Sequence, residues 1–344
     1  MPTLSQASKF SKKTFIKIVI AASILLAIFL IWTVGKSIKN SLIPPKPLPA
    51  TVAFGKLPKL DLSEGIRPSL NTTYKIETIS GQLPQLALRA KVFALAGEES
   101  SFGALARTKI TVSKIGFNAQ EQNLDLHLVK FTDPKQDGRT ITINTASGNF
   151  EYTSNFTQDT QVISSRPKSV EDAKQAAVSF LNNFDFDLRE FPIEKVETRT
   201  LRIDGNRLTE TPALVNANLV EVNFKRLDID KIPVITPQES SASAKALVST
   251  NKIVAANLFR QMIEKYNFAT YPLKGTSKAF EDLKVGKAAF NKQPEEMAIF
   301  PIRDVTLAYL ETRNSRGFLQ PVYVFKSDKG LAAYVPAVDE SWTK

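Results

Sequence analysis

IVIAASILLAIFLIWTV, residues 18–34, decides how the rest of the chain is read. Its 17 residues carry no charge and as a helix extend about 25 Å at ~1.5 Å per residue. Phe15 and Ile16 prolong the apolar run past Lys17, whose ammonium can snorkel to a headgroup layer. The run is longer than a usual signal-peptide core, and no small-x-small cleavage pair follows it closely. The expectation is an uncleaved, single-pass transmembrane helix over residues 15–34 behind a polar, basic cytoplasmic tail over residues 1–14. Lys9, Lys12, Lys13 and Lys17 precede it while Lys36, Lys39 and Lys46 follow, so charge favours a cytoplasmic N-terminus only slightly. The long chain behind the helix argues more strongly for that orientation. The expected location is the cell membrane, with the N-terminus cytoplasmic and the C-terminal domain extracytoplasmic.

Charge then has to be read by region. Nine of the 45 basic residues fall in residues 1–60, which hold no acid, so residues 61–344 carry 36 basic against 34 acidic groups. The overall charge of +11 therefore belongs to the flanks of the apolar run, where it can meet anionic lipid. A nucleic-acid partner is disfavoured on the same ground. The chain has no cysteine, which excludes disulfides, thiolate catalysis and Cys-ligated metal.

Pro44, Pro45, Pro47 and Pro49 make residues 35–51 a stiff, extended linker. Beyond it a helix and short alternating strands recur. A helix after Ser101 carries Phe102, Leu105, Ala106 and Ile110 and stops at Gly116, and strands follow at 124–129, 139–144 and 149–152. Ser169, with Asp172 three residues on, opens a second helix whose face is Val170, Ala173, Ala177, Phe180, Leu181 and Phe184. Strands at 193–203 and 214–227 join through Asp204-Gly205-Asn206, and 232–235 reads as an edge piece. Residues 245–266 fit a helix on one set of apolar positions and a hairpin about Thr250-Asn251 on another; we read a hairpin. A third helix starts at Thr276 or Ser277, ends at Gly286, and precedes strands at 305–309, 322–325 and 331–335. The expected fold class is α+β: an N-terminal single transmembrane helix followed by an ectodomain of repeated helix-plus-antiparallel-meander units. A first unit spans residues 52–162 and a second region 163–344.

TSKAFEDLKVGKAAF (276–290), VTLAYLE (305–311), LQPVYVF (319–325) and AAYVPAVD (332–339) resemble the modules of YycI- and YycH-type bacterial proteins and, more distantly, PepSY-like domains. The resemblance covers roughly residues 250–340. It implies a one-pass extracytoplasmic protein that modulates a membrane partner, such as a sensor kinase, through protein contacts. It carries no functional residues onto this chain.

The residues themselves offer few candidates for chemistry. His127 is the sole histidine; it sits beside Asp125 on an expected strand, and no G-x-S-x-G accompanies it. Ser-x-x-Lys occurs at Ser165, Ser249 and Ser341 without a K-T-G element, and Pro167 stands where the helix of an active serine would run. Asp185 with Asp187, and Asp228 with Asp230, form D-x-D pairs suited to Ca²⁺ or acid–base work, but neither lies in a D-x-D-x-D-G loop. Nucleotide-binding glycine motifs are absent. Tyr309, Tyr323, Phe325, Tyr334 and Trp342 crowd the C-terminus, where core packing explains all but Trp342. Ser23 and Ala27 place small residues four apart in the apolar run, and Asn71 and Asn155 match the glycosylation acceptor, which matters only in a eukaryotic secretory route.

No catalytic, cofactor-binding or metal-ligating residue is therefore assigned, and the chain is not expected to be an enzyme. The expected role is a membrane-anchored interaction or regulatory protein with a protein partner in or at the membrane. The alternative is an anchored envelope hydrolase working through carboxylates. A deep pocket with converging Asp or Glu would favour the hydrolase.

Overall fold

The computed structural model describes residues 50–344 except 68–71, 98, 100, 118–120, 134–137, 239–241, 251 and 294–298, together with Leu25, Leu26 and Phe29. The chain divides into two compact units, Met1–Leu48 and Pro49–Lys344. Of the 18–34 stretch only Leu25, Leu26 and Phe29 are described, all helical and exposed; Ser23 and Ala27 lie outside the described residues. Among the described residues no helix is long and apolar enough to cross a membrane. The longest runs 12 residues, about 18 Å at ~1.5 Å per residue against a hydrocarbon core of ~30 Å. The expected single-pass anchor, and the membrane location that rested on it, are corrected accordingly.

The second unit is built mainly from strands. A nine-stranded, wholly antiparallel sheet holds β3 (Glu121–Asn123), β4 (Leu128–Thr132), β5 (Thr140–Asn144), β6 (Phe150–Thr153), β7 (Val196–Asp204), β8 (Arg207–Glu210), β9 (Leu219–Phe224), β11 (Ala244–Ser249) and β12 (Lys252–Leu258). Its spatial order is β3-β4-β5-β6-β12-β11-β9-β7-β8. Strands from both sides of residue 162 are thus hydrogen-bonded to one another, Tyr152 facing Ala256. A seven-stranded sheet runs β10 (Val234–Ile235), β16 (Asp304–Leu310), β17 (Phe318–Lys326), β18 (Ala332–Pro336) and β14 (Ala289–Phe290), with β2 (Arg89–Leu95) joined to β17 and β13 (Ile263–Pro272) to β2. β1 (Thr73–Ile76) and β15 (Ile299–Ile302) form a separate parallel pair.

The expected α+β series of repeated helix-plus-meander units is therefore corrected to two large, predominantly β sheets. The β16–β17–β18 meander exists, but β2, β10, β13 and β14 complete its sheet from elsewhere in the chain. The physical reason lies in the hydrogen-bonding edge: a meander leaves its outer strands unpaired, and distant strands of the same period satisfy them.

Helices α1 (Ala104–Lys114), α2 (Thr160–Ser164), α3 (Val170–Leu181) and α4 (Thr276–Lys284) complete the unit. Ser169 caps α3, its hydroxyl accepting from the Asp172 N–H at 3.0 Å, while Glu171 and Asp172 complement the positive end of the helix dipole. Ala173, Ala177 and Leu181 recur every four residues and pack with Val220, Val222 and Phe224 of β9 into the first core. α4 turns Ala279 and Leu283 onto a second core with Tyr323, Phe325, Ala333 and Val335. Each such aliphatic or phenylalanine side chain contributes about 1.5–3 kcal/mol on burial. The 244–258 stretch is a hairpin, β11 to β12, with Thr250 at a φ of 49° in its turn.

Candidate functional site

Alternation along the strands fixes which side chains leave each core. On β7 and β9, Val196, Val220, Val222 and Phe224 pack beneath α3, so Glu197, Arg199 and Asn223 project from the opposite face. In the other sheet Val305, Tyr323, Phe325, Ala333 and Val335 pack beneath α4, leaving Thr306, Ala308, Val324 and Tyr334 on the reverse side. These two faces bound a cleft of about 780 Å³. The reverse face of the nine-stranded sheet is shared, since Val162 of α2 covers Leu201, Ile203, Leu219 and Leu247 while Glu197, Arg199 and Asn223 line the cleft.

Several ionic groups of the cleft are held in pairs. Lys195 Nζ lies 2.6 Å from Asp228, Lys326 Nζ 3.1 Å from Asp304, and Lys225 binds Glu197. Arg199 donates twice to Glu221 Oε1, at 2.9 Å from Nε and 2.6 Å from Nη2. Glu221 is 4 % exposed and also accepts from Asn223 Nδ2 at 2.8 Å. That bond sets the Asn223 amide, because the reversed amide would turn Oδ1 onto a carboxylate. Asn223 is itself only 2 % exposed, and among the described residues its Oδ1 has no hydrogen-bond partner; on the facing wall Ser327 Oγ has none either.

At the inner end a buried network ties the two sheets together. Arg226, just past β9, binds Glu190 and Glu311, the latter just past β16. Glu311 is fully buried and also accepts from Ser243 Oγ at 2.8 Å and Gln261 N at 3.0 Å. Arg260 reaches Glu190 from the third side at 3.3 Å. Sequence reading passed over these residues. Glu221-x-Asn223 within LVEVNF carried a usable signal, two polar side chains at strand spacing in an otherwise apolar run. Glu190, Arg226 and Glu311 carried none, because each stands alone at the end of a segment.

The sequence-derived candidates do not converge. Asp187 is gripped by Arg189, whose hydrogen bonds hold its carboxyl below the usual range. Asp228 pairs with Lys195 and Asp230 with Lys91, while Asp185 lines a separate depression beside α1. His127 is half-buried in the β3–β4 hairpin and its carbonyl accepts from Thr145 N at 2.7 Å; Asp125 accepts from Leu126 N in the same turn. Two of the Ser-x-x-Lys serines do meet, Ser165 Oγ and Ser249 Oγ lying 2.8 Å apart, but Lys252 turns to Asp159 and Ser249 is 2 % exposed. Ser341 bonds Asp339 at the last 3₁₀ turn. Tyr309, Tyr323, Phe325 and Tyr334 are all buried, and Trp342 packs edge-on against Tyr271. Burial pushes the Tyr309 phenol above its ordinary pKa, and its hydroxyl donates to the Lys91 carbonyl. Asn155 is exposed, whereas Asn71 lies outside the described residues. Among the described residues no group of three His, Cys, Asp or Glu could hold a metal ion.

Half-exposed pairs of this kind contribute about 0–1 kcal/mol each. Asp228→Asn and Asp230→Asn are accordingly expected to lower stability by no more than that, measured by urea unfolding; a loss above about 2 kcal/mol would place either residue in a tighter arrangement than a surface pair. No known family model matches the chain, and no curated protein matches it in sequence.

Proposed function

We propose that this protein works by binding a partner protein in the cleft between its two sheets, without covalent chemistry. The observation that carries the reading is the state of the cleft's ionic groups: Glu197 and Asp228, two of the three carboxylates on the described lining, each already hold a cation. A general acid or base has to be free to exchange a proton with substrate, and a carboxylate engaged by a lysine must first give up that partner. The D-x-D pairs lie apart from one another, which supports the binding reading over the carboxylate hydrolase. The two large sheets have one long edge strand, β13, which pairs only with β2; their other edges are poor sites for partner-strand addition. β3 has three residues, β10 and β14 two each, and β8 carries Arg207 and Glu210 at its ends, all devices that discourage edge pairing. Contact-based regulation, which the resemblance of the C-terminal stretches implies, agrees with a binding role.

Thr306 lines the cleft and is half-buried, so Thr306→Trp fills it from a strand that keeps its backbone pairing. Proteins cross-linked to the full-length wild type in its own cells are expected to be lost from this variant while its melting midpoint stays within a few degrees. Recovery of the same proteins by the variant would overturn the reading, as would a hydrolytic activity of the full chain that Asp228→Asn abolishes.

A further inference from the structure

From two buried polar atoms on residues lining this cleft that have no hydrogen-bond partner among the described residues, we infer its occupant: an extended peptide segment whose backbone N–H is accepted by Asn223 Oδ1. The inference rests on the binding role proposed above and adds the ligand's chemistry and its anchoring atom. Along β7 the wall from Val196 to Arg199 runs about 10 Å at ~3.3 Å per residue, room for three extended residues, with Lys195 just before it. An extended chain presents N–H and C=O groups alternately to both sides, which matches an acceptor on one wall and a hydroxyl, Ser327 Oγ, on the other.

Other ligand classes fit less well. Seven lysines and arginines line the cleft against Glu197, Glu210 and Asp228, so charge alone would admit a polyanion, but a polyanion brings no donor for Asn223 Oδ1. An oligosaccharide would need an exposed ring to stack on, and Tyr334, the one aromatic residue among the described lining, is 1 % exposed. A polypeptide with side chains of both signs can exchange partners with these ion pairs without leaving a charge unpaired.

The Lys225–Glu197 pair neighbours the acceptor on the same face of the sheet. Glu197 stands directly across from Asn223 in the sheet, and Lys225 is two residues further along the same face. Their side chains are 61 % and 32 % exposed. An exposed pair contributes little to stability, whereas a buried acceptor without a donor is costly. Opening the pair to let a peptide N–H reach Oδ1 is therefore favourable on balance.

The test pans the full-length chain against phage-displayed random decapeptides. Enriched peptides are then resynthesised with each backbone nitrogen methylated in turn, and binding is read by fluorescence anisotropy. One methylation is expected to weaken binding to the wild type about tenfold, and to have no further effect on Asn223→Ala, which binds the parent peptide about tenfold less tightly. Glu197→Gln with Lys225→Met is expected to tighten binding. The methyl scan on the wild type decides the matter even where Asn223→Ala folds poorly: no sensitive nitrogen overturns the inference. Failure to enrich any peptide overturns it too, as does capture of an oligosaccharide that Thr306→Trp blocks. Peptides blocked by Thr306→Trp but indifferent to methylation and to Asn223→Ala would overturn this inference alone. Peptides that Thr306→Trp leaves bound would instead remove the cleft as the binding site.

Discussion

Arg226→Met is expected to destabilise the protein by about 3–5 kcal/mol, because it strands a buried carboxylate. Glu311 is fully buried and Arg226 is 6 % exposed, so no solvent replaces the guanidinium when it is removed. Ser243 Oγ and Gln261 N still donate to Glu311, but neither carries charge. Glu190 is cushioned by comparison: it is 22 % exposed and keeps Arg260. Much of the loss is expected to return in Arg226→Met with Glu311→Met, since an apolar pair of similar volume avoids the desolvation of two ions. Urea unfolding of both single variants and the double variant forms the cycle that measures the coupling. A coupling near zero would mean that Arg226 and Glu311 are not energetically joined, and the junction between the sheets would have to be ascribed to packing alone.

Leu181→Asp is expected to cost more than about 4 kcal/mol, combining a lost core side chain with an unpaired buried charge. Leu181 is 0 % exposed on the last turn of α3 and packs with the first core. Phe180→Asp, one residue earlier, is expected to cost clearly less. Phe180 touches the Phe150, Tyr152 and Phe184 rings but is half-buried, so a carboxylate there can turn to solvent. Thermal unfolding of the two variants side by side checks the ordering, and equal losses would mean that α3 is rotated relative to its sheet. The comparison is informative because the periodicity of the sequence places both residues on one face. Packing then divides that face into a deep stripe, Ala173, Ala177 and Leu181, and a flank.

Much of the candidate site was out of reach for a similar reason. Glu221 and Asn223 betray themselves as polar residues at strand spacing, yet nothing local says that their face looks onto a second sheet. Asp185, Asp187, Asp228 and Asp230 attract notice as motifs, and each proves to be a turn or ion-pair residue at its own location. The network of Glu190, Arg226, Arg260 and Glu311 spans 121 positions of chain and has no sequence spacing to recognise.

Local chemistry by itself determined the elements that depend on near neighbours. Ser169 and Asp172 start α3 by satisfying a free N–H, Asp204-Gly205-Asn206 turns β7 into β8, and alternation of Ile141 and Ile143 with threonines makes β5 a strand. Tertiary structure alone decided which strands meet: β6 with β12 about a hundred residues later, and Phe93 and Ala94 of β2 with Leu319 and Phe318 of β17. It also decided which lone charges are buried together, and that two reverse faces enclose a cleft. The physical reason is that a period of two is the same for every antiparallel partner. Strand identity is written in a few adjacent residues, whereas strand partnership is settled only when whole faces compete to bury their apolar area and to leave no hydrogen-bonding edge or charge unpaired.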